Sequence, residues 1–336
     1  MFHVELHCEC PTAGAPPLAP RRPSPYNPDA DPSSAHPPMA RILCLGMSAL
    51  DAIYRVPAIP SIPTKVVATG FAERGGGMAA SASVAVARLG GESHYWGRVG
   101  DDALGERILA ELRHEGVAVD AVRRIPDCVS PSAAILIDDA GERLICAYND
   151  PRLGEDASWL PLQKIPGFAA VLADVRWPTG AAAVLDAART AGRIAVFDGD
   201  VGPPPALWDL ASRATHAAFS EAGLHCIAGA GDVGAALARL AAATRAVVGV
   251  TLGADGFLWL DVAVERRVPA PRIVAVDTLA AGDVWHGAFA LGLGEGNDVG
   301  AAARFANHAA AIKCTRAGGR LGAPTRAEVL ASLGRD

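Results

Sequence analysis

The segment VDTLAAGDVWHGAFALGLGEG, residues 276–296, places an aspartate and a run of small residues just before a long apolar stretch. Ala280, Ala281 and Gly282 let the backbone approach a ligand closely. The apolar stretch has helical spacing, and the first N–H groups of a helix are unpaired and attract anions. Asp283 would then lie beside a bound phosphate and accept a proton from an attacking hydroxyl. The alternative is that Asp283 only complements the helix dipole.

The composition is typical of a folded globular protein with a small partner. The chain has 336 residues, 51% of them hydrophobic, which suits one large α/β domain or two small ones. A formal charge of −6, without long runs of one sign, offers no basic surface for nucleic acid or a membrane. Seven scattered cysteines show neither a disulfide framework nor zinc-ligand spacing, which favours a reducing cytoplasm.

Residues 1–38 differ from the rest of the chain. They hold ten of its 25 prolines and lack a periodic apolar pattern, so we expect a disordered leader. Arg21 and Arg22 suggest a twin-arginine signal, but no apolar segment follows them, and a solvated tail is the favoured interpretation. Met39 opens the segment MARILCLG, and the folded domain is therefore predicted to span residues 39–336.

From Met39 onward, short apolar runs alternate with alanine-rich segments of helical spacing, which predicts a parallel sheet covered by helices. No repeat and no apolar run of membrane length is visible. Residues 54–77 and 120–150 break the alternation and resemble antiparallel strands, so we expect them to form a small appended β sheet. The strands of the main sheet are predicted at residues 41–46, 92–100, 169–175, 193–199, 215–219 and 245–253.

Polar residues gather where the predicted strands end. Ligands of open parallel sheets bind beyond the carboxyl ends of the strands, so this edge is where chemistry is expected. Each residue alone could cap a helix or close a turn, but their shared location favours a site. The residues concerned are Asp51, Arg176, Asp198, Asp200, Thr251 and Gly253.

Four ordered signatures make the chain similar to a known family. DTLAAGDVWHGA resembles the C-terminal signature of the ribokinase family, also called PfkB carbohydrate kinases. GGGMAASASVAVARLGG followed by GRVGDDALGE resembles its N-terminal signature, and TLGADG and RFANHAAAIKCTRAGGRLGAPT extend the likeness from Met39 to the C-terminus. The resemblance implies a ribokinase-like three-layer α/β/α domain with a mostly parallel central sheet. Residues 54–77 and 120–150 would form its β lid.

The resemblance also implies an activity, the transfer of the γ-phosphoryl group of ATP to a sugar hydroxyl. Asp283 matches the family's catalytic base, and the backbone of Ala280, Ala281 and Gly282 matches its anion hole. The other matches are sugar contacts at Asp51, Gly76 and Gly77, and nucleotide contacts at Thr251, Gly253, Gly256 and Asn307.

Two cation sites are implied in the same way. Asp277, with carbonyl groups near Leu279, Lys313, Arg316 and Gly318, matches a monovalent-cation site, which predicts K⁺. The family's Asn-x-x-Glu motif, which orders metal-bound water, reads Ser220-Glu221-Ala222-Gly223 here, so its handling of magnesium is altered.

Magnesium is then expected at Glu221, or through waters at Asp198 and Asp200, since Mg²⁺ keeps several waters and needs only one or two carboxylates beside the phosphates. A turn with self-capping aspartates explains the Asp198 and Asp200 pair equally well.

The sugar-binding positions depart from those of ribokinase itself. Ser81 replaces the Asn of the family's glycine motif, Met78 follows the glycine pair, and Arg176 stands where ribokinase has a glutamate. Arg176 replaces an acceptor with a cationic donor, and Arg74 could add to it, although a lid arginine is more often solvated. A ketose or an anionic sugar, of the sulfofructose, fructose or ketodeoxygluconate type, is therefore predicted. The alternative is that Arg176 pairs with Asp174, Asp198 or Asp200 and never meets the sugar.

Two alternative functions fit the same fold. They are a catalytically drifted sugar- or nucleotide-binding regulatory protein and a nucleoside kinase. Retention of Asp283 and Asp51 favours an enzyme, because a binding protein has no need of a general base. An NAD-dependent dehydrogenase is disfavoured, because no G-x-G-x-x-G turn follows the first strand. The lid is expected to close on substrate or to pair with the lid of a second subunit in a homodimer.

Overall fold

The computed structural model describes residues 39–229, 231–261 and 264–335, so the predicted leader at residues 1–38 lies outside the described residues. In chain order the strands are β1 (Arg41–Gly46), β2 (Ala49–Arg55), β3 (Gly70–Gly76), β4 (Glu92–Gly100), β5 (Ala118–Ile125), β6 (Ser132–Ile137), β7 (Arg143–Tyr148), β8 (Ala170–Asp174), β9 (Ile194–Gly199), β10 (His216–Ser220), β11 (Val247–Thr251), β12 (Phe257–Asp261) and β13 (Val264–Val268).

The helices alternate with the later strands along the chain. They are α1 (Met78–Arg88), α2 (Ala103–His114), α3 (Pro178–Thr190), α4 (Pro204–Arg213), α5 (Glu221–Ala228), α6 (Val233–Ala243), α7 (Ala281–Gly294), α8 (Val299–Cys314) and α9 (Arg326–Leu333). In the part of the chain that the structure describes, no single helix is both long and apolar enough to cross a membrane. Helices α5 and α6, which meet at a bend of 67°, reach the required length and apolar character only when taken together.

A large sheet forms the centre of the domain, with strand order β13-β12-β11-β10-β9-β8-β1-β4-β5. Its strands pair in parallel except at the β11–β12–β13 edge, which is antiparallel. Six of these strands match the six that the apolar runs predict, and the α/β/α class is confirmed. Apolar runs locate such strands well because parallel strands are covered on both faces.

The alternation of side chains along β1 shows the three layers. Ile42 and Cys44 belong to the core on the side of α1, α7 and α8. Leu43 and Leu45 point the other way, into the core formed with α3, α4 and α6. All four are fully buried, as expected for a central strand that has helices on both faces.

A second sheet of four strands has the order β3-β2-β6-β7. Its bounds differ from the segments predicted for the lid, because the sheet already begins at Ala49 and because residues 118–125 pair with β4 in the large sheet. One face buries Ile53, Ile135 and Ile137 with Leu279 packed against them. Since Leu279 lies in the loop before α7, the small sheet covers the edge where the polar residues gather.

Candidate active site

Helix α7 begins with the predicted anion hole. Ala280 precedes it with a φ of 62°, a left-handed conformation that costs an alanine about 1–3 kcal/mol and that must be held by its surroundings. Ala281 N–H donates to the Thr278 carbonyl at 3.2 Å, whereas Gly282 and Asp283 have no backbone acceptor among the described residues. A Cβ added to Gly282 would meet no atom within 4 Å. Two unpaired donors and open space beside Gly282 thus occur together at the start of α7, as a bound anion requires.

The Asp283 carboxyl group lies in the first turn of this helix, partly buried among other acids. Burial is the largest cause that raises its pKa to about 8, and repulsion from Asp200, Asp174 and Asp51 adds to it. Ser81 opposes part of the rise, although its buried hydroxyl has no hydrogen-bond partner of good geometry. Asp283 is thus a carboxyl group whose proton affinity is tuned toward neutral pH, as a general base requires.

A cavity of about 450 Å³ opens beside Asp283, between the start of α7, the β3–α1 turn and the small sheet. The small sheet contributes Ile135, Ile145 and Tyr148 to its wall. The cavity brings together every residue predicted to bind the sugar, together with the predicted base and part of the anion hole: Asp51, Gly76, Gly77, Ser81, Arg176, Ala280 and Asp283.

The glycines of the β3–α1 turn make room for Asp51. Strands β2 and β3 place Asp51 opposite Arg74, and a Cβ on Gly76 would lie 2.1 Å from Oδ2 of Asp51. Gly77 has a φ of 87°, a conformation that glycine adopts freely, and it precedes the first turn of α1. Burial raises the pKa of Asp51 to about 6, opposed by the nearby Arg320 guanidinium.

The Arg320 guanidinium supports this turn, and sequence reasoning missed it. It is fully buried, pairs with Glu111 at 2.9 Å and donates to the Gly76 carbonyl at 3.4 Å. Glu111 in turn accepts from the Gly75 N–H at 3.0 Å. The pair joins α2 to the segment after α8, a contact between distant parts of the chain that no local pattern reveals.

Asp174 is a second residue that the sequence reading did not place in the site. Its Oδ2 accepts from the N–H groups of Met47 (2.8 Å) and Ala79 (3.0 Å), and its Oδ1 accepts from the N–H of Arg176 (2.8 Å). It therefore joins the ends of β1 and β8 to the first turn of α1. The available signal was a carboxylate that ends an otherwise apolar, fully buried strand.

Three arginines in the described part of the chain line the cavity, and besides Arg320, which pairs with Glu111, Arg176 and Arg74 differ in their partners. Arg176 donates to the Val201 carbonyl at 2.8 Å and pairs with Asp200 at 3.2 Å, which is the alternative anticipated from the sequence. Arg74 donates to the Glu73 carbonyl at 2.8 Å, but no carboxylate among the described residues forms an ion pair with it. Of the two guanidinium groups, Arg74 therefore has the charge less compensated by the protein.

The residues predicted for magnesium lie at the ends of β9 and β10. Asp198 is buried, with Oδ2 3.4 Å from His286 Nδ1, and its pKa is raised strongly by burial and by the charges of Asp283 and Asp200. The described residues contain no group of three His, Cys, Asp or Glu side chains that could ligate a metal directly. The carboxylates nevertheless outnumber the nearby cations, so the set fits an ion held largely through water and phosphate.

Ser220 and Glu221 begin α5 and lie beside these acids. The Ser220 hydroxyl caps the helix by accepting from the Gly223 N–H at 3.0 Å, and it donates to Asp200 Oδ1 at 2.9 Å. Glu221 is exposed in the first turn. Ser220 therefore positions Asp200, and only Glu221 of the altered motif presents a free carboxylate to solvent.

The predicted nucleotide residues fall outside the sugar cavity. Thr251 ends β11 and donates to the Phe219 carbonyl at 3.3 Å. Gly253 is exposed in the short turn that follows, and Gly256, which ends the turn, is buried. Asn307 is buried in α8, where its carboxamide accepts from Trp285 and donates to the Val268 and Pro269 carbonyls. These hydrogen bonds engage the Asn307 carboxamide within the fold. They do not provide the adenine contact that the resemblance implies.

Asp277 has a cationic partner from its own chain. Its carboxylate accepts from the N–H groups of Leu279 (2.8 Å), Gly318 (3.0 Å) and Gly319 (3.1 Å). The Lys313 ammonium lies 2.6 Å from the Asp277 carbonyl oxygen and 3.5 Å from Oδ1. The position predicted for a monovalent cation therefore already holds a positive charge, and these residues do not fit a free ion.

Another cavity, of about 740 Å³, lies between residues 269–273 and the ends of α8 and α9. It contains none of the residues predicted from the sequence. Because none of the acids around Asp283 lines it either, the cavity beside Asp283 is the candidate active site.

Comparison with known proteins places these features in context. The sequence model of the pfkB family of carbohydrate kinases matches residues 39–326. The ribokinase of Bacillus subtilis is 28% identical over 296 residues, which cover 87% of this chain and 98% of that protein. The fructokinase of Vibrio alginolyticus is 27% identical over 289 residues, which cover 77% and 92%.

Solved structures show the same likeness. A crystal structure from Agrobacterium tumefaciens, of a protein provisionally described as a ribokinase, superposes with a TM-score of 0.85 at 40% identity, over 88% of this chain and 98% of that one. The ribokinase of Arabidopsis thaliana, solved with ribose and ATP, has a TM-score of 0.78 at 22% identity, over 88% and 99%. The latter likeness concerns the fold alone.

Proposed function

Because the chain belongs to the pfkB family of carbohydrate kinases, we propose that it transfers the γ-phosphoryl group of ATP to a hydroxyl of an anionic or ketose sugar, with Asp283 as the general base. One observation carries this proposal. The carboxyl group of Asp283 lies between a sugar-sized cavity and the unpaired N–H groups at the start of α7.

This arrangement supplies what phosphoryl transfer needs from a protein, namely position and charge. Gly282 and Asp283 N–H groups would bind the γ-phosphate, and the Asp283 carboxylate would take the proton of the sugar hydroxyl as it attacks. Asp51 would hold other hydroxyls of the sugar. The β lid would cover the cavity with Ile145 and Tyr148 and exclude water.

ATP and Mg²⁺ are the proposed cofactors. An ATP complex of the Arabidopsis ribokinase and an ATP and Mg²⁺ complex of an E. coli protein on the same fold support the nucleotide. Bound Mg²⁺ would neutralise phosphate charge, and Asp198, Asp200 and Glu221 are the carboxylates that would hold it through water.

Arg74 supports the anionic part of the substrate proposal. It lines the sugar cavity and pairs with no carboxylate among the described residues, whereas Arg176 is engaged by Asp200. An anionic group on the sugar would complete the charge balance of Arg74. The fructokinase relatives support a ketose, so a ketose that carries an acidic group meets both criteria.

The test is a coupled ATPase screen of ribose, fructose, tagatose, fructose 6-phosphate, sulfofructose and ketodeoxygluconate. Arg74→Ala should lower kcat/KM for an acidic sugar by about one to two decades, because a charge-assisted hydrogen bond contributes about 1.5–3 kcal/mol. It should hardly change kcat/KM for a neutral ketose. Arg123→Ala, an exposed arginine on β5, is the matched control. A neutral aldose as best substrate, or an unchanged ranking in Arg74→Ala, would contradict the anionic preference.

Asp283→Asn tests the activity itself. Loss of a general base should lower kcat by about 10²–10⁴ while sugar and ATP binding persist. Near-normal turnover would refute the base assignment. If the wild-type chain binds ATP and sugar but turns over none of the sugars in the screen, and no nucleoside in a parallel assay, the regulatory-protein alternative is favoured.

A further inference from the structure

Lys313 is a buried lysine in a chain whose cationic side chains are nearly all arginines. It lies in the last turn of α8, its side chain is fully buried, and its ammonium group is 2.6 Å from the Asp277 carbonyl oxygen. Burying an ammonium group is costly unless oxygen atoms surround it. The position therefore calls for an explanation beyond packing.

The segment that Lys313 contacts leads directly into the anion hole. Asp277 holds the Leu279 N–H through Oδ1 and the turn at Gly318 and Gly319 through Oδ2. Three residues separate Leu279 from the catalytic Asp283, with the left-handed Ala280 between them. The positive charge of Lys313 beside Asp277 thus stabilises the loop that fixes the start of α7.

Two of the carbonyl groups that the resemblance assigned to a cation, those of Lys313 and Gly318, already accept hydrogen bonds. The Lys313 carbonyl accepts from the Arg316 N–H at 3.0 Å, and the Gly318 carbonyl accepts from the Leu321 N–H at 3.2 Å. The Cys314 carbonyl accepts from both Val276 and Asp277 N–H groups, at 2.7 and 3.1 Å. Internal donors thus satisfy part of this loop, and Lys313 is the one cationic side chain among the described residues that forms an ion pair with Asp277.

We propose that the Lys313 ammonium group takes the place of a monovalent cation beneath the anion hole, so that this kinase works without K⁺. An ammonium group and K⁺ carry the same single charge, and a lysine amine is a compact charge with three donors, well suited to a carbonyl and a carboxylate on one residue. Lys313 touches neither sugar nor nucleotide in this proposal and is a positioning residue. The kinetic tests of this inference rest on the proposed kinase activity, whereas the thermal-unfolding test does not.

The first experiment uses the wild-type chain. After exchange into tetramethylammonium buffer, kcat and KM should be unchanged when KCl is added at constant ionic strength. Activation by K⁺ of about tenfold or more, equivalent to about 1.4 kcal/mol, would overturn the proposal. This test needs no variant and so does not depend on whether a mutant folds.

The second experiment compares two variants of Lys313. Lys313→Ala removes the charge and leaves space, so without K⁺ it should lose about tenfold or more in kcat, toward the 10²–10³ typical of a lost anion-hole donor. K⁺ or methylammonium should restore part of this loss. Lys313→Met removes the charge but fills the space, so it should lose activity in the same way and should not be rescued. Lys164→Ala, an exposed lysine paired with Asp120, is the control.

Thermal unfolding provides a readout that is independent of catalysis. KCl, compared with tetramethylammonium chloride at the same concentration, should raise the Tm of Lys313→Ala and leave the wild-type and Lys313→Met values unchanged, because only the alanine variant has both the vacant space and the unpaired Asp277. If no sugar is phosphorylated, the proposed function fails while this measurement still tests Lys313. A wild-type Tm that rises with K⁺, or a folded Lys313→Ala variant indifferent to K⁺ in both activity and Tm, would contradict the inference.

Discussion

Gly76 lies directly against the carboxylate of Asp51, so closely that a methyl group on Gly76 would stand 2.1 Å from Oδ2. Gly282, at the start of α7, has the opposite environment, since a methyl group there would meet no protein atom within 4 Å. Glycines of the two signatures thus serve different purposes. One glycine makes room for a side chain of the protein, and the other leaves room for a ligand.

A matched pair of alanine substitutions tests this difference. Gly76→Ala should destabilise the protein by about 1–3 kcal/mol through overpacking and should raise KM for the sugar. Gly282→Ala should leave stability within about 1 kcal/mol of wild type, while kcat falls by up to about 10²-fold because the phosphate is displaced. Thermal unfolding and steady-state kinetics on both variants decide the matter. A Gly282→Ala enzyme with wild-type kcat and KM for ATP would remove the anion hole from this place.

The pH dependence of catalysis should report the acids around Asp283. Burial and the negative charges of Asp200, Asp174 and Asp51 raise its pKa to about 8, and a general base must be deprotonated to act. We therefore expect kcat/KM to rise with pH up to about 8 and then to level. Asp283→Asn should abolish this limb along with most of the activity. A flat wild-type profile between pH 6 and 8 would show that the ionisation of Asp283 does not limit the reaction.

The main sheet could be predicted from the sequence because its strands are covered on both faces and therefore read as short apolar runs. Strand β5 was not predicted as part of the main sheet, because it is only partly buried and its alternating pattern resembles that of an antiparallel lid strand. Gly76, Gly77 and Ser81 could be proposed as sugar-binding residues because they lie in a glycine-rich segment with a strong local signature. Such signatures exist where the backbone itself must approach a ligand.

The supporting residues of the site could not be found in this way. Asp174 binds backbone groups 127 and 95 positions away in the chain, and Arg320 pairs with Glu111 across 209 positions. Contacts of this kind depend on how the chain returns to the same edge of the sheet, and no local spacing encodes them. For the same reason, the sequence could not decide whether Arg176 contacts the sugar or pairs with a carboxylate such as Asp200.

The small sheet presents an apolar pair on its outer side that a second subunit would cover. Tyr54 and Phe71 lie on neighbouring strands with ring centroids 5.0 Å apart, and Phe71 is 60% exposed. We expect a homodimer through the lids, as the lid prediction requires. Light scattering coupled to size exclusion should give the mass of a dimer for the wild type and of a monomer for Phe71→Glu. A wild-type monomer at micromolar concentration would exclude this arrangement.

The raised pKa of Asp283 also predicts how stability varies with pH. A carboxyl group whose pKa is raised on folding binds more protons in the native than in the unfolded state. The stabilisation of the folded state by Asp283 is therefore fully present below about pH 4, the range of an ordinary aspartate pKa, and is lost as the pH rises to about 8. Relative to wild type, Asp283→Asn should become more stable between pH 5 and pH 9, with Tm higher by about 2 °C or more, since 1 kcal/mol moves Tm by about 2–4 °C in large domains. Asp139→Asn, in the exposed lid turn, should follow wild type at each pH, and an Asp283→Asn curve parallel to wild type would contradict the shift.

Asp174→Asn separates the electrostatic role of Asp174 from its structural one. The charge of Asp174 raises the pKa of Asp283, so its removal should move the rising limb of kcat/KM to lower pH. The same change places an amide where three N–H groups now meet two carboxylate oxygens, which should cost about 1–3 kcal/mol of stability. The two effects can be told apart. Loss of packing lowers kcat at every pH, whereas loss of charge moves the rise of kcat/KM to lower pH. A variant that is destabilised but keeps the wild-type pH dependence of kcat/KM would show that Asp174 only supports the turn. Burial and Asp200 would then account for the raised pKa of Asp283.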